Sequence, residues 1–568
     1  MHLLKRWAPF VSLAIISFFL ILPQILTKNS IIGADYIFHY NRFYDAAMQI
    51  KEGNFEYFLS FYGFQSSGRI VNALYGPLMA YLQGGLVLLA GTWFRYQVLS
   101  NFVMYFLSGS TFYYLLRRHG RCQGVSLVMG IVYMTSYCTL YWVFRQSFTS
   151  WGAALFPLTL LPLKDFIEKK EVHPVQLAVV LALMVQTHLF SSLLVIVIYF
   201  IAFCFVVTTG VTRTFFAQLT KAVGLFVLLT ANIWGSFLSV YLGNTLQPPF
   251  INDQMAAYSI DQLGKNWVLY PRFLLVILFA YCLLYAVRLK YHSTYSHVIF
   301  WLSVFFGLLS TSLLPWNNWV LERVPFVTII QFPFRFSVPF IVLGLYGFSG
   351  QIEQLQWPSK KWLLIAMPFC LFSFGQAIQE TITKLAVWDH LSESKFVSKH
   401  TYLLTDNISE VKESFHDRNL ATLLTLVQKS TPDYLPTNKE LTGNRYDIYA
   451  KEVLFSTTKF TKRVRSKGDM TVYWQAATTG PVTLPLIAYH QTKLTLDGQA
   501  IKLNTTEQSA IGAITVTQQK GQNKLTIHYQ ESWAMRLSLW LTLVTWPAVL
   551  LLVVIHKKLR PTKNSQVP

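Results

Sequence analysis

The sequence holds 568 residues, of which 53% are hydrophobic, 16% aromatic and only 13% charged, with 47 Lys and Arg against 26 Asp and Glu for a net charge of +21. A chain this long and this apolar is excluded as a soluble domain, and its repeated apolar runs of about twenty residues read as membrane helices. The basic residues are spread over short loops, a pattern of orientation signals and lipid contact rather than of a nucleic-acid groove. The five cysteines, Cys122, Cys138, Cys204, Cys282 and Cys370, all lie in or beside apolar runs, and none has metal-site spacing.

In chain order, Lys5 and Arg6 precede an apolar run from Trp7 to Leu26 that lacks a small-residue cleavage site, which predicts an uncleaved first helix. Further spans are expected near 97–116, 123–142, 149–163, 174–189, 190–209, 220–241, 271–288, 298–314, 334–349, 362–378 and 534–556. With 8–26 they make about twelve. The apolar stretch from Tyr75 to Ala90 opens with Gly76-Pro77 and holds Gly84-Gly85, and reads as a juxtamembrane or re-entrant helix. The run from Pro174 to Thr209 is too long for one crossing of a ~30 Å hydrocarbon core at ~1.5 Å per residue, so a break is expected near Thr187-His188.

With those two choices the positive-inside rule holds throughout. Arg117, Arg118, Arg121, Lys164, Lys169, Lys170, Arg213, Lys221, Arg288 and Lys290 fall on the cytoplasmic side with both termini, while the short outer loops keep little beyond Arg145, Lys265 and Arg323. Two large pieces then lie outside. One is a first loop, 27–74, with a helical part at 40–52 and an aromatic-rich tail (Phe55, Tyr57, Phe58, Phe61, Tyr62, Phe64). The other is 379–533, helical at 409–430 and then alternating in short runs over 446–530, with Asp497-Gly498 as a hairpin signal. The expected organisation is a membrane domain over 1–378, an extracytoplasmic α+β domain over 379–533 with a β-sandwich-like part, a last span at 534–556 and a basic tail at 557–568.

Chemistry-bearing residues gather at the outer ends of the spans. In Gly33-Ala-Asp-Tyr-Ile-Phe-His-Tyr-Asn-Arg-Phe43, the spacings of Asp35, His39 and Arg42 place all three on one helix face. Asp35 is suited to act as a general base toward a hydroxyl or to ligate a divalent cation such as Mg or Mn; as a bland alternative it is a helix N-cap. His39 and Arg42 suit a phosphate. Arg145, in the next short outer loop, can do the same or merely snorkel. His188, at the outer end of a span, is a functional candidate because it is ionisable at that depth. Arg335, in Gln331-Phe-Pro-Phe-Arg-Phe336, follows a helix-breaking Pro and suits an anionic headgroup. There is no GxxxxGK followed by Ser or Thr, and no GxGxxG after a strand, so no nucleotide cofactor is expected.

The order of GADYIFHYNRF, YGPL at 75–78, QTHL at 186–189, QFPFRF at 331–336, DYLP at 433–436 and LTLDGQAI before a last span resembles GT-C-type integral-membrane glycosyltransferases of the bacterial YfhO-like group. It is also similar to membrane proteins that carry a 6-pyruvoyl-tetrahydropterin synthase-related label, although nothing in the chain suggests pterin chemistry. The resemblance covers nearly the whole length. It implies a polyprenyl-phosphate-linked sugar as donor, a surface glycan or protein such as a teichoic acid as acceptor, and transfer on the outer face of the bacterial cytoplasmic membrane. It makes Asp35 the catalytic residue and places Arg335 near the site. One departure stands out. Relatives often carry an acid shortly after the arginine of the second outer loop, whereas Arg145 is followed by Gln146-Ser-Phe-Thr-Ser-Trp151, which removes an expected metal ligand. The rival classes are a flippase or exporter of lipid-linked glycans and a non-catalytic scaffold for envelope assembly. A transporter would concentrate its polar groups near the bilayer midplane, not at the outer boundary.

Overall fold

The structure is a computed structural model that describes residues 2–559 except 249, 263–268, 325, 357–358, 392–395, 397–399, 438–439, 441, 457, 466–467 and 503–506. Lys265 and the tail from 560 onward lie outside the described residues. The chain is mostly helical. Four stretches, Arg6–Thr27, Gln123–Arg145, Leu189–Thr208 and Trp533–Ile555, are long and apolar enough to cross a membrane. A fifth, Arg213–Leu229 with Ala231–Tyr241, qualifies only as a pair bent by 62°. Other expected spans are shorter helices, such as Pro174–Thr187 and Leu274–Val287. A helix of 14 residues rises only ~21 Å, so the count of twelve does not follow from helix length alone.

The helices that frame the site are α1 (His2–Thr27), α2 (Tyr36–Glu52), α3 (Pro77–Ala90), α4 (Trp93–Arg118), α5 (Gln123–Met134), α6 (Tyr137–Arg145) and α7 (Thr149–Thr159). They continue with α8 (Leu163–Glu168), α9 (Pro174–Thr187), α10 (Leu189–Thr208), α11 (Arg213–Leu229), α12 (Ala231–Tyr241), α13 (Leu274–Val287), α14 (Thr294–Leu309), α15 (Trp316–Leu321), α16 (Val327–Ile330) and α17 (Ser337–Glu353). The break expected near His188 is present, since α9 stops at Thr187 and α10 starts at Leu189. The chain reverses there. Lys170, just before α9, donates from Nζ to the carbonyls of Thr209 (2.7 Å) and Gly210 (2.8 Å), just after α10, so the start of α9 and the end of α10 lie side by side.

The same reasoning sorts the loops to two ends. His119, after α4, bonds Tyr346 Oη and the Leu161 carbonyl, and the Cys122 amide donates to Glu353. That basic end holds Arg117, Arg118, Arg121, Lys164, Lys169 and Lys170. At the opposite end, Tyr40 of α2 stacks on Trp93 at the start of α4, with ring centroids 4.2 Å apart. Between the ends, large apolar side chains face outward, among them Phe18 and Phe19 on α1, Phe200 on α10, Phe279 on α13 and Trp540 on the last helix. A belt this extensive fits a hydrocarbon surround and no aqueous one.

The chain beyond the helical bundle builds three small sheets. β1 (Thr401–Leu403) pairs with β2 (Val427–Lys429). A five-stranded antiparallel sheet joins β3 (Thr461–Arg465), β4 (Asp469–Ala476), β6 (Thr492–Leu496), β7 (Gln499–Ile501) and β9 (Gly521–Tyr529) in the order β3-β4-β9-β6-β7. β5 (Gly480–Ile487) pairs with β8 (Ala513–Gln518). The β6–β7 turn is Asp497-Gly498, both at positive φ, as the hairpin signal requires. Alternate residues of both sheets (Val472, Trp474, Leu484, Ile514, Leu525, Ile527) share one core.

The first outer loop enters that same core. Phe58, Phe61 and Ile70 are buried in it, and Phe58 stacks on Tyr529 at 4.2 Å. Half of the aromatic tail, Tyr57, Phe58 and Phe61, therefore fastens the loop to the sheets. Only Phe55 among its phenylalanines is widely exposed.

Candidate functional site

Asp35 occupies the N-cap position of α2, but its side chain makes no capping hydrogen bond. What fixes it is the backbone. Gly33 packs so closely on the Arg145–Gln146 turn that a Cβ would lie 2.4 Å from the Arg145 carbonyl carbon, and the Asp35 amide donates to the Arg145 carbonyl at 3.2 Å. Behind it, α2 is anchored through its polar face. Asn41 Oδ1 accepts from the Phe64 amide (2.6 Å), and Asp45 Oδ1 accepts from the amides of Tyr62 (2.9 Å) and Gly63 (3.2 Å).

YGPL and QTHL meet in space. Gly76, at φ +61°, sits against the Thr187 carbonyl, where a Cβ would approach to 2.4 Å. This contact seats Tyr75 beside His188, ring centroids 6.1 Å apart. His188 Nδ1 accepts from the Ser191 amide at 3.3 Å and lies 2.8 Å from Ser191 Oγ, capping α10. The ring proton is then on Nε2.

These elements surround a cavity of about 950 Å³. Asp35, His39, His188 and Arg335 line it, together with Lys429, Asp433 and Arg445 of the outer region. A second part of the lining is apolar: Leu193, Phe250, Ile251 and Ile329, all exposed by two-fifths or more. The cavity thus joins a charged pocket to a greasy, outward-facing rim.

The Asp35 carboxylate has neither a hydrogen bond nor an ion pair among the described residues. Burial raises its pKa above the usual carboxylate value, and the charges of Lys429, Arg145 and Arg335 pull the other way. Lys429, at the end of β2, donates from Nζ to the Ala34 carbonyl at 2.6 Å, next to Asp35. Arg335 donates from Nη1 to the Ile330 carbonyl (3.1 Å) and lies against Phe190 and Phe332. Asp433 is a second, half-buried acid on the wall, its pKa also raised by burial and opposed by Arg69, Arg445 and Lys429.

Two of the cations expected from sequence do not line the cavity. Arg42 is fully buried behind it: Nε donates to Asn72 Oδ1 (3.1 Å), Nη1 meets His39 Nδ1 (3.3 Å) and Nη2 donates to the Tyr75 carbonyl. Its guanidinium also packs on the rings of Tyr75 and Phe148, 4.5 and 4.8 Å from their centroids. Arg42 is a positioning residue for His39 and Tyr75. Arg145 contributes its carbonyl to the Asp35 amide, and its exposed side chain acts on the carboxylate only through its charge. His39, held between Arg42 and Phe148, is kept neutral by burial first and by Arg42 second.

Sequence reasoning missed Lys429, Asp433 and Arg445 as site residues. DYLP was visible as a motif, and Asp433 is its first residue, but nothing local signals where it lands.

The sequence also offers Asp35 as a metal ligand. Among the described residues no three His, Cys, Asp or Glu side chains group as a metal site. The charges that act most on the Asp35 carboxylate are those of Lys429, Arg145 and Arg335, which disfavour a further cation beside it. No protein-family model, curated protein or solved structure matches the chain.

Proposed function

We propose that the chain is a GT-C-like glycosyltransferase with about twelve spans, which moves a sugar from a polyprenyl-phosphate donor to a surface acceptor on the outer face of a bacterial cytoplasmic membrane. The observation that carries this reading is the unpaired Asp35 carboxylate in a cavity that combines cations with an exposed apolar rim. A polyprenyl chain suits the rim, and Arg335 and Lys429 suit the phosphate. Asp35 takes the proton of the acceptor hydroxyl. The hydroxyl oxygen bonds to the anomeric carbon while the carbon–oxygen bond to phosphate breaks. The electron pair leaves with polyprenyl phosphate, and the anomeric centre inverts. Burial, which raises the basicity of Asp35, favours that proton transfer. Removing one charge-stabilising donor such as Arg335 should raise the barrier by on the order of 2.7–4 kcal/mol.

The test is Asp35→Asn expressed in a deletion strain, with surface glycans read by mass spectrometry and protein level by membrane blot. The expected outcome is a normal protein level and loss of one envelope sugar, as in the deletion; transfer in vitro from a polyprenyl-phosphate donor then separates catalysis from transport. Full restoration of the glycan by the variant would sink the catalytic assignment and promote the flippase or scaffold reading.

A further inference from the structure

A second cavity, of about 260 Å³, lies at the basic end of the bundle. Helix α4, with 26 residues and so ~39 Å long, separates it from the Asp35 end. Its walls come from the loop after α4, from α8, from α13, from the start of α14 and from the last turns of α17.

Its chemistry is two-sided. Arg121 and Lys164 supply positive charge, and the amino-terminal end of the 16-residue helix α14 adds the favourable end of a macrodipole. Arg121 Nε is buried without a hydrogen-bond partner, and its guanidinium forms no ion pair among the described residues. Among the described residues Lys164 has one ion-pair partner, Glu168, which is 4.0 Å away and also lines the cavity. Facing these cations, Gln351 is 3% exposed, and its Oε1 is buried with no partner. An isolated buried acceptor of this kind is unfavourable unless a donor meets it. The site therefore asks for one molecule that is anionic at one point and a hydrogen-bond donor at another.

We propose that this cavity binds the headgroup of a phosphodiester that carries free hydroxyls, with the phosphate on Arg121 and Lys164 and a hydroxyl on Gln351. A phosphate with free glycerol hydroxyls is shared by phosphatidylglycerol, a diester, and by soluble glycerol 3-phosphate, a monoester. The surroundings favour the lipid. Tyr281 of α13 lines the cavity, and the same helix turns Phe279, Leu283 and Val287 outward, each more than half exposed. Acyl chains can lie along that face while the headgroup enters. The site is independent of any transfer reaction at Asp35.

The test uses the full-length protein in neutral-detergent micelles, with ligand retention followed by native mass spectrometry. The probes are phosphatidylglycerol, phosphatidic acid and glycerol 3-phosphate. Wild type should retain one phosphatidylglycerol more tightly than phosphatidic acid, which lacks the hydroxyls, and should not retain glycerol 3-phosphate. Arg121→Gln should weaken retention about tenfold, the effect of one charge-assisted hydrogen bond. Lys164→Gln, at a half-exposed position that tolerates change, should weaken it in the same sense. Arg118→Gln, exposed on the neighbouring turn, should leave it unchanged. Equal retention by wild type, Arg121→Gln and Lys164→Gln would overturn the site. Equal retention of glycerol 3-phosphate would overturn the lipid as its ligand.

Discussion

Lys429 reaches the Ala34 carbonyl, next to Asp35, from 395 positions away in sequence, and its charge is the largest of those opposing the effect of burial on the carboxylate. A general base works only when ionised. Its activity is present above its pKa and lost as pH falls through it. Burial moves that limb up; Lys429, Arg145 and Arg335 move it down. Lys429→Gln removes the first of these cations, so the acid limb of the transfer rate should shift to higher pH. Arg145→Gln should shift it in the same direction and by less, because its charge stands second. The measurement is the pH dependence of kcat/KM for both variants. A profile unmoved by Lys429→Gln would mean that Asp35 is not the group that titrates. The contrast with Arg42 is instructive. Both cations lie near the site, but Arg42 spends its donors on Asn72 and the Tyr75 carbonyl, whereas Lys429 faces the cavity.

At the scale of elements, the first outer loop is held in an unusual shape. Phe64, Gln65 and Ser66 all have φ between +52° and +56°. Three successive residues in the left-handed region carry roughly 1–2 kcal/mol of strain each. Lys462 of β3 holds this turn, donating from Nζ to the carbonyls of Gln65 (2.8 Å), Ser66 (3.1 Å) and Pro485 (3.1 Å). Lys462→Met leaves three half-buried acceptors without their donor, at about 1 kcal/mol each. The loop around 60–70 should then exchange its amides faster while α4 keeps its protection, as hydrogen exchange would show. Slow exchange in both would mean that the Phe58 and Phe61 contacts suffice to dock the loop.

This loop also marks what the sequence could tell. The helix after Gly33, the break at His188 and the Asp497-Gly498 hairpin rest on local signals, and each is present. The destination of the loop's aromatics is not local. The aromatic-rich pattern does not say what the tail packs against until the sheets that bury part of it are in place. Arg42 shows the same limit. Helical spacing puts it on the face of His39, but only packing decides that His39 reaches the cavity while Arg42 is buried behind it.

For the molecule as a whole, the two cavities and the distribution of charge define opposite ends. Lys and Arg cluster at the end with Arg118, and the sheets stand at the end with Asp35. If the positive-inside rule governs insertion, the sheets face outward and Arg118 faces the cytoplasm. Cysteine labelling tests this on a background in which the five native cysteines are replaced. Ala500, on the exposed β7 strand, and Arg118, at the exposed end of α4, are both open to solvent. A membrane-impermeant maleimide should label Ala500→Cys in intact cells and Arg118→Cys only after permeabilisation. The reverse would turn the cavity of Asp35 toward the cytoplasm, where a donor on the outer leaflet could not reach it. Labelling at both sites in intact cells would place both ends on one side. That outcome requires α4 not to cross the membrane, against its length of 26 residues. The orientation therefore decides more than topology, because the chemistry proposed for Asp35 needs the apolar rim of its cavity to open toward the leaflet that holds the donor.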